Sequence, residues 1–140
     1  MHAWAEAKPK LVVIADHTHR PVFMSQSLLR LLQQQVAALH QRLQTGPSAP
    51  VPEEIEEWQR LLEWAEARDS TPLQVSTATT RPPKPCYFNS GCCCFCDGEV
   101  TGIEIVGGAI RLVRWPNHRA APVAQVVFTA DLGEVLARCS

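Results

Sequence analysis

The stretch KLVVIADHTHRP, residues 10–21, decides how the rest of the chain is read. Residues 11–15, LVVIA, are apolar and rich in β-branching, with no alternation of polar and apolar positions. That is the pattern of a strand buried on both faces. Asp16 ends the run, and Pro21 has no N–H with which to extend a ladder. His17 and His19 therefore stand at the C-terminal edge of the strand or in the loop beyond it, where sites in layered α/β proteins tend to lie. Side chains two residues apart in extended backbone share a side. A His-x-His pair there can serve one metal ion or two adjacent ions, and imidazole suits zinc, manganese, iron and nickel. The same spacing equally describes two ordinary loop histidines.

Beyond the loop the period changes. SQSLLRLLQQQVAALHQRLQ aligns Leu28, Leu32, Val36, Leu39 and Leu43 in one stripe, an amphipathic helix capped by Ser25 or Ser27. TGPSAPVP breaks it, and PEEIEEWQRLLEWAEAR lines up Ile55, Trp58, Leu62 and Ala65 in a second helix. Pro52 sits in that helix's first turn, with acids at its positive end. A short linker makes an antiparallel helical hairpin the expected arrangement. Trp58 and Trp64 suit either packing within it or a ligand-facing surface.

The Pro- and Thr-rich segment DSTPLQVSTATTRPPKP reads as irregular. After it, CYFNSGCCCF restores a β signal. DGEVTGIEIVGGAIRLVRW reads as two strands, Val100–Val106 and Ala109–Trp115, turning at Gly107-Gly108. VAQVVFTA is a further strand, and DLGEVLARC is a short helix with Asp131 as cap and Glu134 three residues later. The expected fold class is α/β. The whole of 1–140 forms one domain: strand and His-x-His loop at 11–23, inserted helical hairpin at 25–69, C-terminal strands and short helix at 86–140.

A net charge of −1 with mixed signs offers no electrostatic case for nucleic acid or an anionic membrane. The apolar runs fall short of a membrane span. MHAWAEAKPK lacks the layout of a secretory signal, so a cytoplasmic location is expected. Six cysteines are bunched rather than spread, with Cys92, Cys93, Cys94 and Cys96 in CCCFC, Cys86 before them and Cys139 near the end. Reduced thiols are therefore expected rather than a disulfide framework. Cys92, Cys94 and Cys96 share one face of a regular strand, which suits small core residues, with a structural zinc site as the rival reading.

Taken in order, the buried strand, His17-Thr18-His19-Arg20-Pro21, Asn89-Ser90-Gly91 and the hairpin GIEIVGGAIRLVRW resemble the C-terminal part of calcineurin-like metallophosphoesterases. The resemblance covers most of residues 11–115 apart from the helical hairpin, which looks like an inserted lid. It implies a layered β-sandwich and a centre of two divalent metal ions (Mn, Fe or Zn) that hydrolyses a phosphate ester. It further implies that His17 binds one ion and His19 the other, with Arg20 as a weaker candidate for steering the phosphate. Asp16 stands where the family pattern has glycine. The family's Asp-x-His, Gly-Asp-x-x-Asp and Gly-Asn-His motifs are not found in this sequence, and none of His2, His40 and His118 has the flanks of the family's single further histidine. The chain is then a hydrolase fragment, inactive alone, whose missing ligands belong to an N-terminal complementary half. The alternatives are a degenerate, non-catalytic binding module and a zinc protein built on the cysteine cluster.

Overall fold

The computed structural model describes residues 2–16, 18, 20–45, 52–68, 84–91, 98–117 and 123–140. Among them the chain is mixed α/β, with two sheets and four helices. In order these are α1 (His2–Glu6), β1 (Val13–Ala15), β2 (Val22–Phe23), β3 (Gln26–Ser27), α2 (Leu28–Thr45), α3 (Pro52–Glu66), β4 (Tyr87–Asn89), β5 (Val100–Val106), β6 (Ala109–Trp115), β7 (Gln125–Asp131) and α4 (Leu132–Arg138). Backbone proximity divides the chain into two units, Met1–Gln26 with Thr79–Ser140, and Ser27–Ala78.

The first sheet runs β1-β4-β2-β3. β4 lies parallel to β1, with Val13 opposite Tyr87 and Ala15 opposite Asn89. On its other side it is antiparallel to β2, where Val22 faces Asn89. Among the described residues β1 is consequently an edge strand, and Ile14 is 46% exposed. This corrects the expectation of a strand buried on both faces. The composition is that of an interior strand, yet among the described residues β4 is its one strand neighbour.

β2 and β3 are joined by Met24 and Ser25, with φ of 53° and 63°. Positive φ at both central residues is the condition of a type I′ hairpin turn, which normally selects Asn-Gly or Gly-Gly. Neither Met nor Ser favours that region, so the conformation must be held from outside. Ser25 supplies the hold. Its N–H donates to the Tyr87 carbonyl at 2.7 Å, its hydroxyl donates to the Lys84 carbonyl, and the Tyr87 N–H donates to its Oγ at 3.1 Å. Ser25 is therefore a turn residue, and the cap of α2 is Ser27, whose Oγ meets the Arg30 N–H at a long 3.4 Å.

The second sheet runs β5-β6-β7, antiparallel throughout. Gly107 and Gly108 make the β5–β6 turn with φ of 55° and 78°. A bulge at Leu112–Val113 interrupts the β6–β7 ladder. Glu99 and Arg114 form a sheltered two-point ion pair, at 2.8 and 3.0 Å, that ties the approach to β5 to the end of β6. Phe23 bridges the two sheets. Its ring meets Phe88 of β4 edge-on at 5.1 Å and stacks on Phe128 of β7 at 6.1 Å. Phe88, Ile110, Leu112, Val113, Val135 and Cys139 form much of this unit's buried interior. α4 starts as expected, with Asp131 accepting from the Glu134 N–H at 2.8 Å. α1, too short to show a period, was not foreseen. The segment after it is tied down where the Lys10 N–H donates to the Cys139 carbonyl at 3.0 Å.

In the second unit α2 and α3 pack on each other. Leu28, Leu32, Val36 and Leu39 are buried, as are Ile55 and Ala65. The stripe stops a turn earlier than its period implies, because Leu43 is 44% exposed. The Arg68 guanidinium lies 4.5 Å from the centre of the Trp64 ring, which favours a packing role for that tryptophan. No helix among the described residues is long and apolar enough to cross a membrane.

The turn yields a paired prediction. Ser25→Ala and Ser25→Gly both remove the hydroxyl bonds, but only glycine relieves the left-handed backbone. In urea unfolding Ser25→Ala should cost about 2 kcal/mol, and Ser25→Gly about 1 kcal/mol less. Alanine proving the milder change would show the turn to be unstrained.

Candidate functional site

The histidine loop and the Asn-Ser-Gly segment leave the first sheet at the same place. β1 and β4 are parallel, and their last residues, Ala15 and Asn89, are register partners. The Ser90 N–H donates to the Ala15 carbonyl at 3.0 Å, extending the ladder one step. Asp16 and Ser90 thus follow the carboxyl ends of adjacent parallel strands, the location at which open α/β sheets bind ligands.

Asn89 is fully buried, and three of its hydrogen bonds are defined. The Gly91 N–H, which can only donate, meets Oδ1 at 2.9 Å and so identifies that atom as the oxygen. The Thr18 hydroxyl donates to the same Oδ1 at 2.8 Å, joining residues 71 apart in sequence. Nδ2 donates to the Tyr87 hydroxyl at 3.0 Å. Thr18 Oγ1 also lies 3.0 Å from the Arg20 carbonyl, so its single proton has two acceptors, the nearer on Asn89.

Gly91 is required here on two counts. Its φ is +87°, and a Cβ on it would stand 2.6 Å from Thr101 Oγ1 and 3.0 Å from Pro21 Cγ. The Thr101 hydroxyl in turn donates to the Ser90 carbonyl. Pro21, Asn89, Gly91 and Thr101 are all buried, a closed cluster at the root of the loop.

Of the residues singled out from sequence, His17 and His19 lie outside the described residues, but Thr18 between them is placed on Asn89. Asp16 and Arg20 are exposed. Thr101 and Tyr87 belong to the cluster without having been assigned a role from the sequence, and Pro21 belongs to it as well. Pro21 entered as the end of a ladder and the last residue of the His-Thr-His-Arg-Pro motif, and Thr101 only as a strand residue.

Cys92, Cys93, Cys94 and Cys96 also lie outside the described residues. Cys86 and Cys139 are buried free thiols. Burial pushes the Cys139 thiol above its ordinary 9.0, the neighbouring Cys86 pushes it further, and Lys84 and Arg138 pull the other way. Both side chains are fully buried, which suits packing. No group of three or more His, Cys, Asp or Glu able to hold a metal ion occurs among the described residues. An open depression of about 460 Å³ beside Lys10, Leu136, Ala137 and Ser140 shares no residue with the loop or the Asn89 cluster.

Two outcomes are expected. Gly91→Ala should lose about 3 kcal/mol in denaturant unfolding, from left-handed strain and overpacking together. For Cys139, the folded state keeps its proton to higher pH than the unfolded chain. Its contribution to stability is complete below pH 9.0 and is lost as pH rises through the folded-state value. A melting-temperature series from pH 8 upward should therefore show an alkaline decline that Cys139→Ala makes shallower.

Comparisons with family models, with curated proteins and with solved structures found no match to this chain. A reading of its function comes from its own residues and their geometry.

Proposed function

We propose that the chain is the C-terminal part of a metal-dependent phosphoesterase of the calcineurin-like kind, contributing the His17–His19 wall of a dinuclear centre. The observation that carries this reading is the 2.8 Å hydrogen bond from Thr18 to Asn89. Thr18, between the two histidines, and the Asn89–Gly91 segment share one hydrogen-bonded cluster at the carboxyl end of a parallel strand pair, although 71 residues separate Thr18 from Asn89. Coincidental surface histidines give no reason for the residue between them to be anchored to a buried amide. The two sheets bridged by Phe23 are compatible with a layered sandwich, and the α2–α3 pair with a helical hairpin inserted in the chain.

The donor set fits only part of such a centre. Two imidazoles can hold an ion weakly, Asp16 is the nearest carboxylate in sequence, and a dinuclear cluster also needs bridging carboxylate to balance its charge. In a complete site the two ions (Mn, Fe or Zn) would lower the pKa of a bridging water and stabilise charge on the phosphate ester. No hydrolytic step runs on this chain alone. Its own contribution would be His17 and His19 as metal ligands, with Arg20 as the weaker candidate for steering the phosphate. Two free buried thiols suit a reducing compartment such as the cytoplasm.

A second reading, a degenerate module that binds another protein without catalysis, draws on the open edge of β1 and the exposure of Ile14. The two readings differ in outcome. With Mn²⁺ and a chromogenic phosphodiester, the isolated chain should show no turnover above that of the metal. A chain carrying the missing Asp and Asn motifs should restore it, and His17→Ala should then lower it at least about 100-fold. Robust turnover by the isolated chain, abolished by His17→Ala, refutes the fragment reading. Stable association with such a partner without turnover favours the binding module.

A further inference from the structure

We propose that the outer edge of β1 pairs antiparallel with the same edge of a second copy of this chain. The pairing is centred on Val13, so that Lys10 of each copy lies opposite Asp16 of the other. It goes beyond the metal-site reading and does not depend on it.

The backbone decides which groups are on offer. The Val13 N–H donates to the Cys86 carbonyl at 2.8 Å, and the Ala15 carbonyl accepts from the Ser90 N–H at 3.0 Å. Both residues therefore turn their hydrogen-bonding groups toward β4. Those of Ile14 point the other way, and the alternation of an extended backbone assigns Val12 to the same outer side. Among the described residues β4 is the one strand beside β1, and Ile14 is 46% exposed. An extended partner can thus bond at Val12 and Ile14 without disturbing the β4 ladder. Residues 11–15 carry no charge and no proline, two of the devices that keep edge strands apart.

The segment is complementary to itself. Its apolar residues 11–15 are bracketed by Lys10 and Asp16, both exposed and of opposite charge. A two-fold axis through the Val13 pair sets Val12 against Ile14, Leu11 against Ala15 and Lys10 against Asp16, each contact occurring twice. Directly opposed side chains are the unit of sheet stabilisation, and β-branched pairs and opposite charges are favourable there. An axis through Ile14 would put Val12 opposite Asp16, and one through Val12 would put Lys10 opposite Ile14. Each lays a charge against an apolar side chain, so the charges select the Val13 axis. The backbone leaves the extended path at Lys10, where φ is 54°, so this residue contributes its long side chain rather than another ladder bond. An interface of residues 10–16 alone is small beside the roughly 800 Å² per partner of a stable complex. Association is accordingly weak, and copies with an open edge persist beside the pair.

Sedimentation equilibrium of the reduced 140-residue chain with a chelator present, so that neither disulfides nor metal ions link copies, measures the dimer constant. Hydrogen exchange of the Ile14 amide, which should slow as the dimer fills, reports on the edge itself. Lys10→Glu and Asp16→Lys each set two like-charged pairs into the dimer and should weaken it about 10-fold or more. Both positions are exposed, so both variants should keep the parent's circular dichroism. Lys10→Glu combined with Asp16→Lys keeps the net charge and re-forms both pairs with signs exchanged. It should return to within about 3-fold of the parent. An equimolar mixture of the two single variants should also associate, because each supplies the sign that the other lacks. A dimer that ignores the single reversals, or that the combined variant fails to restore, overturns the proposal. So does a chain that is monomeric at every concentration. An Ile14 amide already protected in that monomer shows the edge covered within one chain, and a freely exchanging one leaves it to a different partner.

Discussion

A carboxamide cannot be taken out of water cheaply unless its oxygen and nitrogen both find partners, and Asn89 is fully buried. Much of the first unit is arranged around that requirement. Tyr87 must present its hydroxyl two residues back along the same strand, and Gly91 must turn left-handed so that its N–H points back to Oδ1. That turn in turn needs the space that Thr101 and Pro21 leave only to a glycine. The remaining place on Oδ1 is taken by Thr18, which brings in the loop after β1. A hydrogen-bonded cluster thereby forms at the end of two very short strands, each of three residues, that would fray if ladder bonds alone held them.

The two sheets are organised differently. The second is antiparallel, follows chain order and turns on Gly107-Gly108, so its pairing is local. The first brings β4 between β1 and β2 after a long excursion through α2 and α3. Its assembly depends on distant partners: Ser25 on Lys84 and Tyr87, Thr18 on Asn89, Phe23 on Phe88. Non-local pairing of this kind carries a larger closure cost. Buried aromatic area and satisfied polar groups offset it where ladder length does not.

This difference explains what could be read from the residues. Local signals were legible: the Leu28–Leu39 stripe, Pro52 with Glu53 and Glu54, the Gly-Gly turn, and Asp131 as a cap. The Met24–Ser25 turn was not, because its left-handed geometry is imposed by β4 rather than preferred by those residues. The site was half legible. Histidine spacing and Asn-Ser-Gly drew notice as motifs, but no pattern in the sequence says that a threonine should reach an asparagine 71 residues on. Leu43 and Ile14 mark the opposite failure, where periodicity and composition describe burial that the described neighbours do not supply.

The exposed flank of β1 also bears on how this polypeptide behaves in a test tube. Val13 and Ala15 direct their ladder bonds toward β4, so the amide and carbonyl of Ile14 face outward beside a half-exposed branched side chain. A pleated margin of that kind invites an extended peptide to zip on. Concentrated stocks are thus apt to turn cloudy through accretion at this rim, and a short soluble β-branched peptide that caps it would keep them clear.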